Sequence, residues 1–258
     1  MKLASKSGRK IESTSSGLAV VDSSGSASPL KKIARHGVTL GKKPPTGATV
    51  LFDGKTNDHW KNLKVTNDGL MQVGAETAEP FTGGYLHLEF RTPYMPKSSG
   101  QKRGNSGVYL QRRYEVQILD SFALPGIENE CGAIYTQRKP DVNMALPPLV
   151  WQTYDIFFEP AKFSESGEKI KPTILTVIHN GVPVQYRNVV KAKTGAGKPE
   201  GPEPLPLLLQ DHGDPVVFRN IWLVSSQSAP AAKPVGDRLT NWLAPPSGPF
   251  TASSIDFK

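Results

Sequence analysis

The chain has 258 residues, 37% of them hydrophobic and 21% charged, with one cysteine and a formal net charge of +8. That length suits one large β domain with tails and buries a full core without staples, while the lone Cys131 excludes an intramolecular disulfide or a Cys-rich zinc site. The charge is not a nucleic-acid signature: residues 1–43 hold nine Lys/Arg against Glu12 and Asp22, residues 44–258 are close to neutral, and no nucleic-acid partner is expected.

Residues 1–30 are Ser/Gly-rich with few large apolar side chains, which predicts a disordered basic tail, and 1–43 is read as tail and linker. Ser5, Lys6, Ser7, Gly8, Arg9 and Lys10 interrupt any apolar stretch near the start, so no signal peptide is expected. No apolar run approaches the roughly 18–20 residues that span a bilayer, so no membrane span is expected. Lys42-Lys43-Pro44-Pro45-Thr46-Gly47 forms a stiff entry to a domain over 44–226.

Short strands separated by turn signals follow. Thr49–Phe52 ends at Asp53-Gly54, and Leu63–Val65 and Leu70–Val73 flank the hairpin signal Thr66-Asn67-Asp68-Gly69. Tyr85–Arg91 alternates with period two: Leu86, Leu88 and Phe90 on one face, His87, Glu89 and Arg91 on the other. Further strands are expected at Gly107–Gln111, Tyr114–Leu119, Gln152–Phe158, Thr173–His179, Val184–Arg187, Leu205–Gln210 and Val216–Val224, with Asn180-Gly181 as a two-residue hairpin turn. Long loops are expected at Pro93–Gly104 and Ala123–Val150, lengths that are more often functional than incidental. Residues 227–258 read as a Pro/Ala/Ser-rich tail pinned in places by Trp242, Leu243 and Phe250. Helical periodicity is absent, and 24 Gly and 23 Pro punctuate the chain too often for long helices. The pattern predicts an all-β, antiparallel two-sheet β-sandwich or jelly roll.

The stretch Tyr114-Glu115-Val116-Gln117-Ile118-Leu119-Asp120 carries the most chemistry. Alternation puts Glu115 and Gln117 on one face, and a β-bulge near Leu119 would bring Asp120 to the same side. The bland alternative is a half-exposed edge strand with solvated carboxylates. Asn105 and Ser106, between Gly104 and Gly107, can bring amides close to a ligand. One of Arg112 and Arg113 alternates onto the face of Tyr109 and Gln111, to clamp a hydroxyl or hold Glu115 ionised, and Trp151 and Tyr135 are candidates to stack on a ligand ring or fill the core. Among the histidines, His212 stands out in the polar turn Gln210-Asp211-His212-Gly213-Asp214; His87 is expected to face solvent, His179 to be exposed, His59 to be structural and His36 to lie in the tail.

The spacing of Glu115, Gln117 and Asp120 resembles the bulged acidic strand of laminarinase-like glycoside hydrolases, which are concanavalin-like jelly rolls. Leu51–Thr56, Gly104–Leu110, Glu115–Asp120, Trp151–Asp155 and Gln210–Gly213 occur in the order that resembles the 3-keto-disaccharide hydrolase family, from about Ala48 to Val224. That resemblance implies a carbohydrate substrate, and a periplasmic or secreted location if the N-terminus is incomplete. Retaining hydrolysis needs carboxyl groups about 5–5.5 Å apart, whereas five residues at roughly 3.4 Å each separate Glu115 from Asp120. The resemblance implies instead that a ketone at sugar C3 acidifies the C2 proton, so that a base removes it and the C1 leaving group departs. Its site needs a base, an acid and an electrophile, which assigns Glu115 as base, Asp120 as acid or orienting group, and His212 as acid or as ligand to a divalent metal. The rival from another class is a non-catalytic carbohydrate-binding module on the same fold, whose site would be shallow with aromatics flat to solvent.

Overall fold

A computed structural model of the chain describes residues 3–4, 9–14, 17–30 and 36–226. It divides into two compact units, one ending at Arg35 and the other beginning at His36. The C-terminal tail expected over residues 227–258, with Trp242, Leu243 and Phe250, lies outside the described residues.

The first unit is a small antiparallel sheet, β1 (Leu3–Ala4), β2 (Lys10–Thr14), β3 (Gly17–Val21) and β4 (Ala27–Pro29), paired in that order. The expectation of no order in residues 1–30 therefore misses a meander. The Ser, Asp and Gly content that argued against a core here builds turns. Asp22 Oδ1 accepts hydrogen bonds from the Ser24 and Ser26 amides at 2.9 and 3.0 Å and closes the β3–β4 connection.

In the second unit, β5 (Thr49–Phe52), β6 (Trp60–Lys61), β7 (Met71–Gln72), β8 (Glu76–Pro80) and β9 (Gly84–Arg91) come first. The hairpin β10 (Ser106–Leu110) and β11 (Tyr114–Ile118) follows, then β12 (Gln152–Glu159), a short β13 (Lys162–Phe163) and β14 (Lys169–Lys171). β15 (Thr173–His179), β16 (Val182–Val190), β17 (Pro206–Leu209) and β18 (Val217–Ser225) complete the unit. One sheet runs β11-β10-β17-β8-β6 and the other β16-β15-β12-β9-β18-β5, with β7 also on β18. Pairing is antiparallel throughout the described residues. The fold is the all-β, two-sheet sandwich of jelly-roll type that the alternation predicts. Asn180 and Gly181, at φ 51° and 85°, make the tight β15–β16 turn that needs two left-handed residues.

Period-two alternation fills the space between the sheets. Leu86, Leu88, Phe90, Tyr154, Ile156 and Phe158 of the larger sheet share one apolar core with Val108, Leu110, Val116, Ile118, Leu207 and Leu209 of the smaller. The Tyr154 hydroxyl crosses the core to donate to the Gln117 carbonyl at 2.6 Å, and the Cys131 thiol lies 3.1 Å from that hydroxyl. Burial pushes the thiol pKa up to about 11.

The outer face of the larger sheet differs from expectation. His87, read as solvent-facing, is fully buried, as are Glu89 and Asp155. Residues 37–42 cover them: Thr39 Oγ1 donates to Asp155 at 2.6 Å, the Gly41 amide donates to Glu89 at 2.6 Å, and the Lys42 carbonyl accepts from Asn220 at 3.0 Å. His87 Nδ1 sits 2.7 Å from Asp155, its directly opposite cross-strand partner. Burial opposes charge on the imidazole, but hydrogen bonds to Asp155 and Glu89 outweigh it and raise its pKa. Burial would lift Glu89 too, yet hydrogen bonds from His87, Asn220, Gly41 and Arg219 hold it at about 2. The predicted boundary at 43/44 thus falls inside this unit, since the polar outward positions of β9 and β12 need a cover and the linker supplies it. His179, expected to be exposed, is also buried, with Nε2 2.9 Å from Gln152 Oε1, and burial depresses its pKa to about 3.

Truncations separate the two boundaries. Removing residues 1–35 should leave the melting temperature of the sandwich nearly unchanged. Removing 1–43 should destabilise it by on the order of 3–5 kcal/mol, because buried charged groups lose their hydrogen-bond partners. Chemical denaturation of the two truncated chains measures the difference.

Candidate active site

The outward positions of the smaller sheet line a polar cavity of about 260 Å³. Its wall comprises Gln101, Asn105, Tyr109, Glu115, Gln117, Tyr135, Gly195, Ala196, Gln210 and His212. β10 and β11 supply the floor, because inward Val108, Leu110, Val116 and Ile118 leave Tyr109, Glu115 and Gln117 pointing out. The connection from β11 to β12 contributes Tyr135, the connection from β16 to β17 contributes Gly195 and Ala196, and the turn after β17 contributes Gln210 and His212.

Glu115 is the only carboxylate in this wall and is 2% exposed. Its carboxyl packs over Gly107, where an added Cβ would overlap Oε1, so the site depends on a residue without a side chain there. Its backbone is pinned on both sides: the amide donates to Thr194 Oγ1 at 2.8 Å and the carbonyl accepts from the Tyr135 amide at 3.1 Å. Burial pushes its pKa up from 4.5 to about 7, only partly offset by a hydrogen bond from Tyr109. Among the described residues no Lys or Arg lines the wall beside it, and a carboxyl poised near neutrality is suited to taking and returning a proton.

Carboxamides crowd the same wall. The Gln117 amide nitrogen donates to Gln101 Oε1 at 3.1 Å in one setting. Turned over, it donates to the Ser106 carbonyl at 2.8 Å and to Glu115 Oε1 at 3.0 Å, which relieves the opposed lone pairs of the first setting. Asn105 is buried, donates through Nδ2 to the Gln101 carbonyl at 2.8 Å and is anchored by Asp214, which accepts from its amide at 2.8 Å. His212 is exposed at the rim in the turn closed by Gly213, whose amide donates to Asp211 Oδ1 at 2.9 Å.

The structure therefore brings Asn105, Glu115, Gln117, Tyr135 and His212 together and leaves four expected residues elsewhere. Asp120 lies outside this wall. The regular β10–β11 ladder ends at Ile118, Ile118 and Leu119 both pack into the core, and the Asp120 carboxylate pairs with Arg103 at 3.2 Å. Arg112, at φ 51° in the hairpin turn, pairs with Glu76. Arg113 is buried and holds the 194–203 segment, donating to the Pro199 carbonyl at 2.8 Å and the Glu203 carbonyl at 2.9 Å. Trp151 sits on the larger sheet, with the Arg91 and Arg219 guanidinium groups 4.9 and 4.0 Å from its ring. Among the described residues, no group of three or more His, Cys, Asp or Glu side chains could hold a metal ion. The sequence reading missed Gln101, Tyr109, Gly195, Ala196 and Gln210; only Tyr109 had a signal, since a hairpin through Gln111–Arg113 places it directly opposite Glu115. A larger cavity of about 430 Å³ near Leu51, Phe81 and Leu223 is mostly apolar, and its ionisable residues Asp58, His59 and Glu79 are exposed.

A family profile described as "3-keto-alpha-glucoside-1,2-lyase-like domain" matches residues 47–224, which span all five sequence motifs and both sheets. The chain belongs to this family. A crystal structure described as a "putative glycosyl hydrolase" from Parabacteroides distasonis is similar at 33% identity and a TM-score of 0.65, covering 77% of this chain and 93% of that one. A second structure of the same description and organism is similar at 18% identity and a TM-score of 0.49, over 68% and 92%, too distant to argue from. No curated protein matches. At the coarse level, membership of the lyase-like domain family makes the chain a carbohydrate-active enzyme.

Replacing Glu115 by Gln should stabilise the protein in mild alkali. Between pH 4.5 and about 7 the folded carboxyl keeps a proton that the unfolded chain has released, so folding loses stability as pH rises through that window. Above it the penalty is on the order of 3 kcal/mol. Thermal melting should show Glu115→Gln above wild type at pH 8 and level with it near pH 4.

Proposed function

We propose that this site cleaves 3-keto-glycosides by acid–base chemistry, with Glu115 as the base. A ketone at C3 makes the C2 proton removable by a carboxylate. The C2–H electron pair becomes the C1–C2 double bond, the C1–oxygen bond breaks, and the leaving oxygen takes a proton. Return of the proton from Glu115 to C2 with addition of water at C1 completes hydrolysis; release of the unsaturated ketone instead makes the enzyme a lyase. His212 at the rim is the donor to the leaving group. The carboxamide N–H groups of Gln101 and Asn105 are the electrophile for the C3 oxygen, whose charge grows as C2 loses its proton. Tyr135 offers a ring face to the sugar. Asp120 has an orienting role, through Arg103 and the Gly104–Asn105 turn that it touches.

The observation that carries this reading is the buried Glu115 carboxyl, facing a cavity without a counter-charge and titrating near 7. A carbohydrate-binding module has no use for such a carboxyl and would present aromatics flat to solvent. Family membership supports the ketone chemistry in particular.

Chemically oxidised 3-keto-disaccharides and their unoxidised parents test the proposal. Wild-type protein should cleave only the oxidised sugars, with turnover rising as pH passes through about 7. Glu115→Gln should lower turnover by about 10²–10⁴-fold while the protein stays folded. Undiminished turnover in a folded Glu115→Gln would remove Glu115 from the base role, and inactivity of wild type on every keto-sugar would favour the binding module.

A further inference from the structure

Tyr109 is a nearly fully buried tyrosine in the cavity wall, directly across the β10–β11 ladder from Glu115. Both side chains leave the same face of the ladder, and the Tyr109 hydroxyl interacts with the Glu115 carboxyl and with the backbone of Ala196. The approach is tight: a Cβ on Gly195 would lie 3.5 Å from the Tyr109 oxygen and 3.0 Å from the Tyr135 ring, so only glycine, here at φ 36°, lets the segment come this close.

The segment carrying Ala196 is fastened to the hairpin that carries Glu115. The Thr194 amide donates to the Arg113 carbonyl at 2.9 Å, the Lys198 amide donates to the Arg112 carbonyl at 2.7 Å, and the Arg113 guanidinium grips Pro199 and Glu203. Strand, segment and phenol therefore form a closed loop of contacts around one carboxyl.

We propose that Tyr109 is the positioning residue for Glu115, held beside the carboxyl by the Gly195–Ala196 segment so that the base keeps one orientation while it gains and loses a proton. This rests on the reading of Glu115 as the base. Three titratable groups share the cavity with the carboxyl: Tyr109 from β10, Tyr135 from the β11–β12 connection and His212 from the turn after β17. Gln117, Gln101 and Thr194 are neutral, so Tyr109 is the group whose removal acts on Glu115 directly. A phenol that donates to the ionised carboxylate favours that form, and its loss raises the carboxyl pKa.

Tyr109→Phe tests the proposal with the full chain, and replacement of Tyr109 by 3-fluorotyrosine, a stronger donor, gives the opposite perturbation. The Glu115 carboxyl is followed by ¹³C NMR, with Glu115→Gln assigning the signal. Tyr109→Phe should move the midpoint up by about one pH unit and fluorotyrosine should move it down. The acid limb of kcat on a 3-keto-glycoside should move by the same amounts while KM changes little. A purely structural tyrosine would not respond to fluorine, so an unmoved midpoint in both variants overturns the proposal. Because the NMR titration needs no substrate, failure of the ketone chemistry would leave turnover absent but the midpoint shifts intact.

Discussion

The register of the β10–β11 hairpin sets everything else in the site. Three residues, Gln111, Arg112 and Arg113, connect Leu110 to its partner Tyr114, and two of them adopt positive φ. From there the ladder runs in step to Ser106 opposite Ile118. A slip of one residue would exchange the faces, driving Glu115 and Gln117 into the apolar core and turning Val116 and Ile118 outward. The cost of burying a carboxylate among leucines and phenylalanines fixes the register more firmly than the turn does. The correct register is also what brings Gly107 beneath the Glu115 carboxyl and Tyr109 beside it.

Both outer faces of the sandwich bury polar groups, and they do so by opposite means. On the larger sheet, His87 lies between the Asp155 and Glu89 carboxylates, which also accept hydrogen bonds from Thr39 and the Gly41 amide, so the charged form of each group is favoured. On the smaller sheet, no Lys or Arg among the described residues lines the wall beside Glu115, and burial disfavours its charge. A matched cluster is a structural clamp, whereas an unmatched carboxyl opening on a cavity is a place where protonation changes within the physiological range.

Strand positions were legible because period-two alternation is a local property: Thr173–His179 matches the expectation residue for residue, and the Asn180-Gly181 turn follows from its two left-handed positions. Glu115 and Gln117 were legible for the same reason. Asp120 falls outside the cavity wall because its partner, Arg103, lies 17 residues away, and no local pattern announces that pair. Trp151, Arg112 and Arg113 carry side chains suited to binding sugars, yet the cation–π stack, the ion pair and the carbonyl contacts that occupy them join segments far apart in the chain. His87 and His179 looked exposed because alternation identifies a polar face without saying what covers it.

Cys131 makes the molecule amenable to site-directed chemistry. The thiol is 1% exposed, shielded beside the Tyr154 hydroxyl, and with a pKa near 11 only about one in ten thousand molecules carries the thiolate at pH 7. Maleimides and other thiol reagents will pass over it while the sandwich is folded. A second cysteine placed on the exposed rim beside His212 can then carry a fluorophore or spin label at one defined position without removing the native residue.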